Sequence, residues 1–377
     1  MKYPFLDLGK VNEPFEDQLI EAAGRVIRSG RYIGGSEVDA FEQELGAMLK
    51  APEAVGVSNG LDALRLILSA YIELGRLKRG DEVIVPANTY IATFLSVIHA
   101  GLKPVAVDPD ILTMNLDADA VEAHISQRTR AIIPVHLYGR VCWSEKLKEV
   151  AAKHSLLLIE DCAQAIGARA AVDGLNGSRM AGALGDAAAL SFYPTKNVGA
   201  LGDAGAVVTA DRQLAQMVRR LANYGTSARN HHDHLGTNCR LDPIQAAMLR
   251  VKLPHTVEEN AERFARALAY WRTIDHPLVV KPLMSQEVTD CVWHQYVVRV
   301  TGGKRDAMRA ALESRGVATD VHYPVAPHRQ PCMAEFPQSP LPVAEMLADE
   351  VMSLPIARGT SVKDASDIAR ILNSIDL

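Results

Sequence analysis

Short apolar runs alternate with helical patterns between about residue 50 and residue 210, and this alternation constrains the fold more than any other feature of the chain. The predicted strands cover Glu82–Pro86, Pro104–Asp108, Arg130–Leu137, Leu156–Asp161, Ala187–Phe192 and Gly205–Ala210. Helical patterns separate them at Tyr90–Ala100, Asp117–Ser126 and Trp143–His154. Continuous apolar strands separated by helices indicate a largely parallel sheet with helices on both faces. We therefore expect an α/β fold that binds ligands beyond the carboxyl ends of its strands.

The pattern changes near residue 242, where the regular alternation stops. Asp242–Trp271 is a long helical stretch that is interrupted at Pro254. Beyond it, strands are predicted over Val292–Val300 and Val317–His322, and helices over Lys304–Arg315, Val343–Val351 and Lys363–Ser374. We expect a large domain over residues 1–245 and a smaller C-terminal α/β domain over residues 246–377.

Composition and charge argue against several classes of protein. The formal net charge of −5 over 377 residues gives no basic footprint for nucleic acid. No stretch approaches the ~18 uninterrupted apolar residues of a membrane span. The five cysteines are scattered, which is typical of reduced intracellular thiols. These features predict a cytoplasmic protein that binds neither nucleic acid nor membranes.

A lysine and an aspartate stand at the ends of two apolar strands. Lys196 follows one of them and opens the glycine-rich segment Asn197–Gly205. A lysine that loses part of its hydration has a lowered pKa, which makes it a nucleophile toward an aldehyde. Asp161 ends the other strand, where a buried carboxylate needs a cation or hydrogen-bond donors, although it could equally cap a loop or helix. The two residues are the protein groups that pyridoxal phosphate chemistry most needs.

The segment Val57–Leu64 combines a turn with the start of a helix. Its Asn-Gly pair is a turn signal, and a good helical sequence begins at Asp62. Backbone N–H groups at a helix N-terminus form a natural phosphate site, although taken alone the segment is more simply a plain N-cap turn. Ser191 offers a hydroxyl to a phosphate oxygen, and Gln164, one helical turn beyond Asp161, is within reach of a phenolic oxygen on the cofactor ring.

Taken together and in this order, these segments resemble the sugar aminotransferases of the DegT/DnrJ/EryC1/StrS family over nearly the whole chain. The matching motifs are Ser58–Leu64, Gly80–Pro86, Glu160–Gln164, Ser191–Lys196 and Gly236–Asp242. The resemblance implies fold type I of the pyridoxal phosphate enzymes, the aspartate aminotransferase-like fold, with a mostly parallel seven-stranded sheet in the large domain. Some relatives are dehydratases with a histidine in place of the lysine, so Lys196 favours transamination.

The resemblance also implies roles for individual residues. Lys196 would hold pyridoxal 5'-phosphate covalently, and Asp161 would pair with its pyridine nitrogen. The other cofactor contacts would be the backbone of Gly60, Leu61 and Asp62 with Ser191 at the phosphate, Tyr90 stacked on the ring, Gln164, and Asn238 from the other subunit. A site that is shared in this way implies a homodimer.

The loop Asn59–Leu64 and the segment Pro86–Thr93 look most like the branch that aminates C3 of dTDP-linked 3-keto-6-deoxyhexoses. In such enzymes L-glutamate gives its amino group to the cofactor, 2-oxoglutarate leaves, and the pyridoxamine phosphate form aminates the keto-sugar for deoxyamino sugar, lipopolysaccharide or glycan biosynthesis. Lys196 would be both covalent anchor and general acid/base. Candidate substrate contacts are Tyr193, Tyr224, Arg229, His322, Tyr323 and His328. For the last three, a structural turn around Pro324 is an equal alternative.

Several alternatives stay open at the level of the sequence. The acceptor could be a UDP- or dTDP-linked 4-keto sugar that is aminated at C4. A Rossmann-type nucleotide-sugar oxidoreductase is a rival from another class, although the chain lacks Gly-x-Gly-x-x-Gly after its first strand. A non-catalytic, cofactor-binding regulator is a third interpretation. No metal site is predicted, because the loop His231–His234 has no further ligands at zinc spacing.

Overall fold

The computed structural model describes residues 1–172, 177–284 and 290–377, which form helices, a seven-stranded sheet, a three-stranded sheet and two two-stranded sheets. The helices are α1 (Leu8–Asn12), α2 (Glu16–Ser29), α3 (Ser36–Leu49), α4 (Gly60–Glu73), α5 (Ile91–His99), α6 (Ala118–Ala123), α7 (Glu145–Lys153), α8 (Arg212–Leu221), α9 (Pro243–Lys252), α10 (Thr256–Thr273), α11 (Arg305–Ser314), α12 (Pro342–Glu350) and α13 (Val362–Asn373). The strands are β1 (Glu53–Val57), β2 (Glu82–Pro86), β3 (Lys103–Val107), β4 (Thr129–Ile132), β5 (Leu157–Asp161), β6 (Arg169–Val172), β7 (Gly177–Met180), β8 (Ala187–Ser191), β9 (Gly205–Thr209), β10 (Thr226–Ala228), β11 (His231–His232), β12 (Val279–Val280), β13 (Tyr296–Val300) and β14 (Val351–Leu354). Among these described helices, none combines the length and the apolar composition that crossing a bilayer requires.

The large sheet has seven strands in the order β1-β9-β8-β5-β4-β2-β3. Strand β9 runs antiparallel to both of its neighbours, and the other adjacent pairs are parallel. The predicted α/β class and mostly parallel sheet are therefore confirmed. Because β1 and β8 both run against β9, they point the same way, and Val57 and Ser191 both lie opposite Gly205. The carboxyl ends of β1 and β8 thus reach the same edge of the sheet.

Helices cover both faces of this sheet, which explains the continuous apolar strands. In β8, Ala187 and Ala189 belong to a core that includes α4, α5 and α8. Ala188 and Leu190 point the other way, into a core with α3 and α9. A strand that is buried on both faces needs an apolar residue at every position instead of at alternate ones.

The small sheet is antiparallel, in the order β12-β13-β14, and its core includes residues of α10, α11 and α13. Tyr3 joins this core and pairs with Val317, so the first residues of the chain pack with the last third of the sequence. The predicted domain boundary after residue 245 falls inside α9, which packs against α2 and α3 of the large unit. The two-domain division stays a prediction.

The predicted strand Val317–His322 is wrong. Only Val317 and Asp320 make isolated bridges, and no continuous ladder forms between them. The Asp320 side chain accepts the N–H of Val321 at 2.8 Å, which takes that donor away from strand pairing.

Two other predicted strands are shorter than the apolar runs that suggested them. The strand expected over Arg130–Leu137 ends at Ile132, two residues before a proline, which has no N–H to give to a ladder. The strand expected from Val292 begins only at Tyr296. It cannot run through Trp293, whose φ of 48° is left-handed.

Candidate active site

The carboxyl ends of β1, β5 and β8 meet at a cavity of about 390 Å³. The predicted site residues that line it are Gly60, Leu61, Tyr90, Asp161, Gln164, Ser191, Tyr193, Lys196, His322 and Tyr323. Most of them follow strands of the large sheet, and the last two come from the segment between α11 and α12. The sheet edge therefore gathers residues that are far apart in the sequence, as expected for this class of fold.

Lys196 lies in a tight turn after β8, where its N–H is donated to the carbonyl oxygen of Tyr193 at 2.8 Å. Burial lowers the pKa of its amino group from 10.5 to about 8, although the nearby Asp161 carboxylate acts in the opposite direction. A Cβ at Gly199 would collide with the backbone of Pro194, so only glycine allows the segment to fold back this closely. The turn thus holds a lysine that is partly unprotonated near neutral pH.

Asp161 ends β5 with its side chain buried against the same cavity. Its carboxylate accepts the N–H of Ala163 at 3.1 Å and the hydroxyl of Thr93 at 2.9 Å. Burial nevertheless raises the pKa of this carboxyl group above its ordinary value. A carboxylate that remains destabilised after two hydrogen bonds is suited to a cationic partner, such as a protonated ring nitrogen.

The N-terminus of α4 also lines the cavity. Asn59 caps this helix, because its side-chain oxygen accepts the N–H of Asp62 at 2.8 Å. The prediction that the Asp62 backbone binds phosphate is therefore not supported, since that N–H is already donated. Gly60 and Leu61 lie in the first turn, where backbone N–H groups have no intrahelical acceptor. A Cβ at Gly60 would lie 2.7 Å from the Cβ of Ser191, so glycine brings these N–H groups close to the serine hydroxyl.

Gln164 connects the cavity to the C-terminal part of the chain. Its side-chain oxygen accepts the N–H of Tyr138 at 2.6 Å, and its Nε2 donates to the hydroxyl of Tyr323 at 3.1 Å. The ring of Tyr323 lies 5.1 Å from that of Tyr90, which is half-exposed at the mouth of the cavity. One N–H of Gln164 Nε2 remains after these bonds, so its predicted contact with the cofactor ring stays a prediction.

Five predicted residues are not part of the cavity lining: Asp62, Tyr224, Arg229, Asn238 and His328. Asn238 is exposed, as are Tyr224 and Arg229 on or beside the hairpin β10-β11, so none of them reaches the cavity of its own subunit. The side chain of His328 is only 6% exposed, and its Nε2 lies 3.0 Å from the carboxylate of Glu345. For His328 the geometry favours the structural alternative, whereas the predicted reach of Asn238 into another subunit stays a prediction.

A buried group of His136, Glu160 and Cys162 has the composition of a metal site, with ligand atoms within 4.8 Å of one another. The Glu160 carboxylate, however, accepts one hydrogen bond from His136 and three from backbone N–H groups. Burial acts against its ionisation, but these bonds outweigh burial and lower its pKa. The second nitrogen of His136 accepts the N–H of Cys142. The ligand atoms of His136 and Glu160 are therefore already used in hydrogen bonds, which stabilise the end of β5. In the exposed loop His231–His234 the histidines have separate partners.

The lining residues that sequence reasoning does not identify include Thr93 and His294. Thr93 lies one helical turn beyond Tyr90, so the helical periodicity of α5 could have found it. His294 comes from the segment before β13, far along the chain from Lys196. No local pattern predicts that approach, because the packing of the two sheets determines it.

Comparison with known proteins agrees with this geometry over nearly the full length. Residues 15–373 match the DegT/DnrJ/EryC1/StrS aminotransferase family. A relative from Aneurinibacillus thermoaerophilus, named dTDP-3-amino-3,6-dideoxy-alpha-D-galactopyranose transaminase, is 42% identical over 373 residues, which are 99% of this chain and 98% of the relative. A relative from Streptomyces venezuelae, named dTDP-3-amino-3,4,6-trideoxy-alpha-D-glucose transaminase, is 44% identical over 358 residues, which are 94% and 91% of the two chains. The crystal structure of S. venezuelae DesV in complex with a ketimine intermediate has a TM-score of 0.92 and 42% identity, and it covers 100% of both chains.

Proposed function

Because the chain belongs to the DegT/DnrJ/EryC1/StrS aminotransferase family, we propose that it transfers the amino group of L-glutamate to C3 of a dTDP-linked 3-keto-6-deoxyhexose. The observation that carries this proposal is the approach of Lys196 and Asp161 to one cavity at the carboxyl edge of the sheet. Two relatives that align with nearly the whole chain are named for dTDP-3-amino sugars, and they support the nucleotide and the position.

Members of this family depend on pyridoxal phosphate, and the residues of the cavity fit this cofactor. When bound, pyridoxal phosphate supplies an aldehyde for the amino group and a ring that accepts the electron pair of the substrate carbon. Lys196 would hold the cofactor through its aldehyde, and Asp161 would be the acceptor for a protonated ring nitrogen. The first-turn N–H groups of Gly60 and Leu61, together with the Ser191 hydroxyl, would bind the phosphate.

Lys196 acts as the acid and base of both half-reactions. With a pKa of about 8, its amino group is neutral often enough to take the proton from the α-carbon of glutamate. Its Nζ would hold that proton between the steps, and it would take and return a proton in the reverse order when the sugar is the substrate. Asp161 would keep the ring nitrogen protonated, and Tyr90, whose ring contacts that of Tyr323, would stack on the cofactor ring.

The proposal includes a homodimer in which each site uses residues of both subunits. Asn238 supports this arrangement, because it is exposed and does not line the cavity of its own subunit. The proposal also includes a large domain over residues 1–245 and a small domain over residues 246–377. We place the enzyme in the cytoplasm, in the synthesis of deoxyamino sugars for lipopolysaccharide or another glycan.

Among the alternatives, a UDP-linked acceptor has some support, because another relative is named for a UDP-linked 3-dehydro sugar. Amination at C4 of a 4-keto sugar is the second alternative. An oxidoreductase has no support from a chain that belongs to an aminotransferase family. The presence of both Lys196 and Asp161 counts against a purely regulatory protein.

A substrate panel tests the proposal. Purified protein is supplied with pyridoxal phosphate, L-glutamate and dTDP- or UDP-linked 3-keto and 4-keto sugars, and the products are analysed by mass spectrometry and NMR. We expect a dTDP-linked 3-amino sugar to form together with 2-oxoglutarate. The proposal is wrong if no sugar nucleotide is aminated, or if Lys196→Ala completes turnover at the wild-type rate.

A further inference from the structure

His294 is a buried polar residue of the cavity to which the proposed reaction assigns no role. Its side chain is only 5% exposed, and it lines the same cavity as Lys196. It precedes β13 of the small sheet, so the C-terminal part of the chain contributes it to a site that is otherwise formed mainly by the large sheet.

The hydrogen bonds of Asn197 determine the tautomer of His294. The Nδ2 group of Asn197 donates to the carbonyl oxygen of Val292 at 3.1 Å and to Oδ1 of Asn260 at 2.8 Å. Both of its N–H bonds are thereby used, so the atom that faces His294 Nδ1 at 3.1 Å is the acceptor Oδ1. Asn260 is itself fixed, because it donates to the carbonyl oxygen of Ile166 at 3.0 Å. His294 must therefore carry its proton on Nδ1.

The second nitrogen, Nε2, is consequently an acceptor. Burial lowers the pKa of His294 well below the ordinary value, and the positive charges of Lys196 and Arg263 act in the same direction. The ring thus stays neutral, with a lone pair on Nε2. Within the described ranges 1–172, 177–284 and 290–377, no protein group hydrogen-bonds to Nε2, so the cavity is where its partner must be found.

We propose that His294 is a specificity-determining residue whose Nε2 accepts a hydrogen bond from a sugar hydroxyl on a carbon next to the reacting carbon. The inference rests on the proposed function. The reacting carbon must approach Lys196, whose charge acts on His294, so a hydroxyl on the adjacent carbon enters the part of the cavity that His294 lines. The amine that reacts is the only hydrogen-bond donor of L-glutamate when its carboxylates are ionised, so glutamate has no hydroxyl to offer to this lone pair.

This assignment makes the two half-reactions unequal. His294 selects the sugar, because a substrate without the hydroxyl leaves a buried acceptor unpaired, which is the strongest form of discrimination by hydrogen bonding. It has no corresponding effect on glutamate. A residue that only maintained the structure would affect both amino donors together.

Two substitutions separate the two nitrogens of the ring. In His294→Asn the side-chain N–H can still reach Asn197, but nothing replaces the acceptor at the position of Nε2. In His294→Gln an oxygen can occupy the position of Nε2, while the bond to Asn197 is lost. The first variant removes the proposed sugar contact, and the second restores it.

The test compares two amino donors on the same pyridoxal phosphate form of the enzyme. L-Glutamate and dTDP-3-amino-3,6-dideoxygalactose each convert it in a single turnover, which is followed by the loss of its visible absorption band. Calorimetry measures binding of the same sugar nucleotide. For His294→Asn we expect the sugar half-reaction to slow by about tenfold or more, while the glutamate half-reaction stays within about twofold of wild type. His294→Gln should recover most of the sugar rate.

The outcomes distinguish this inference from the proposed function. If the wild-type enzyme reacts with neither amino donor, the proposed function fails. If it reacts with both and His294→Asn slows both equally or neither, the role of His294 is wrong.

A measurement on the wild-type protein covers the case in which these variants do not fold. Nitrogen-15 NMR of histidine-labelled enzyme should show an unprotonated Nε2 for His294 that shifts on addition of the sugar nucleotide and not with glutamate. A protonated Nε2, or one that responds to neither ligand, would overturn the inference.

Discussion

Lys196 and Asp161 show that burial in one cavity moves a base and an acid in opposite directions. Burial lowers the pKa of the lysine to about 8 and raises that of the aspartate, so each group is pushed toward its neutral form. Their mutual attraction opposes both changes without cancelling them. In the protein without cofactor, burial therefore destabilises the charged forms of both side chains. A bound cation would relieve this for the aspartate, and a bound aldehyde would relieve it for the lysine.

The first prediction concerns stability without cofactor. Because the pKa of Lys196 is about 8 in the folded protein and 10.5 in the unfolded one, the unfolded state binds more protons between these values. The resulting destabilisation is complete below pH 8 and disappears as the pH rises toward 10.5. Lys196→Met should accordingly raise the melting temperature at pH 7 by roughly 1–4 °C, and less at pH 10. Calorimetry checks this, with exposed Lys153→Met as the control; an equal gain at both pH values would contradict it.

The second prediction concerns the titration of Lys196 itself. The rate at which acetic anhydride modifies this residue, followed by peptide mass spectrometry, should show a midpoint near pH 8 in the protein without cofactor. Asp161→Asn removes the negative charge that raises the lysine pKa, so the midpoint should move to a lower pH. A midpoint that stayed unchanged would mean that the two side chains do not interact.

At the scale of the element, the helix α4 shows how local rules build a ligand site. Asn59 caps the helix through the N–H of Asp62, and the Asp62 side chain in turn accepts hydrogen bonds from Ser58 and Asn59. This reciprocal arrangement uses the third N–H of the helix and leaves the first two for a ligand. The sequence indicates the turn and the helix, but it cannot indicate which N–H groups remain.

The third prediction tests whether the cap of α4 leaves the first two N–H groups of the helix available to a ligand. Asn59→Ala should lower the free energy of unfolding by about 1 kcal/mol and should also weaken pyridoxal phosphate binding. The matched control is Ser144→Ala, which removes the cap of α7 far from the cavity. Both variants should lose a similar amount of stability in urea unfolding, but only Asn59→Ala should lose cofactor affinity in fluorescence titrations. Equal affinities would show that the cap has no part in binding.

The same scale shows why some elements are predictable and others are not. Strands such as β2 and β8 are buried on both faces, so their sequences are continuously apolar and their predicted bounds agree closely with the structure. The segment Val317–His322 mixes apolar with polar residues, and it makes only isolated bridges, to Tyr3 and to Ser353 of β14. The Asp320 side chain also takes one of its backbone donors. Apolar character predicts burial, whereas strand pairing depends on partners that a local pattern does not contain.

At the scale of the whole molecule, the cavity needs both sheets. The predicted lysine, aspartate and phosphate turn all belong to the large sheet, where the parallel topology alone brings them together. His294 and Tyr323 reach the cavity only because the small sheet packs against the rest of the chain. Sequence reasoning therefore does not predict His294, and it predicts Tyr323 only through the family resemblance. Tyr323 then bonds to Gln164, which makes the C-terminal part of the chain a wall of the site.

The fourth prediction addresses the proposed shared site. Lys196→Ala and Asn238→Ala should each be inactive, but a mixture that is unfolded and refolded together should recover about a quarter of the wild-type sites, because half of the dimers are mixed and each has one complete site. Product formation and analytical ultracentrifugation measure the result. A control mixture of Lys196→Ala with Asp161→Ala, which both belong to one cavity, should recover nothing. Recovery in neither mixture would contradict a shared site.

The antiparallel strand β9 has a consequence for how the protein is made. It lies between β1 and β8 and pairs with both, so their carboxyl ends reach the same edge of the sheet, yet it follows both of them in the chain. A growing polypeptide on the ribosome therefore cannot assemble the phosphate end of the cavity until β9 has emerged, and it lacks a wall until His294 and Tyr323 follow. The order of synthesis delays cofactor capture until most of the chain is available, so a truncated product would present an open site that holds its ligand weakly.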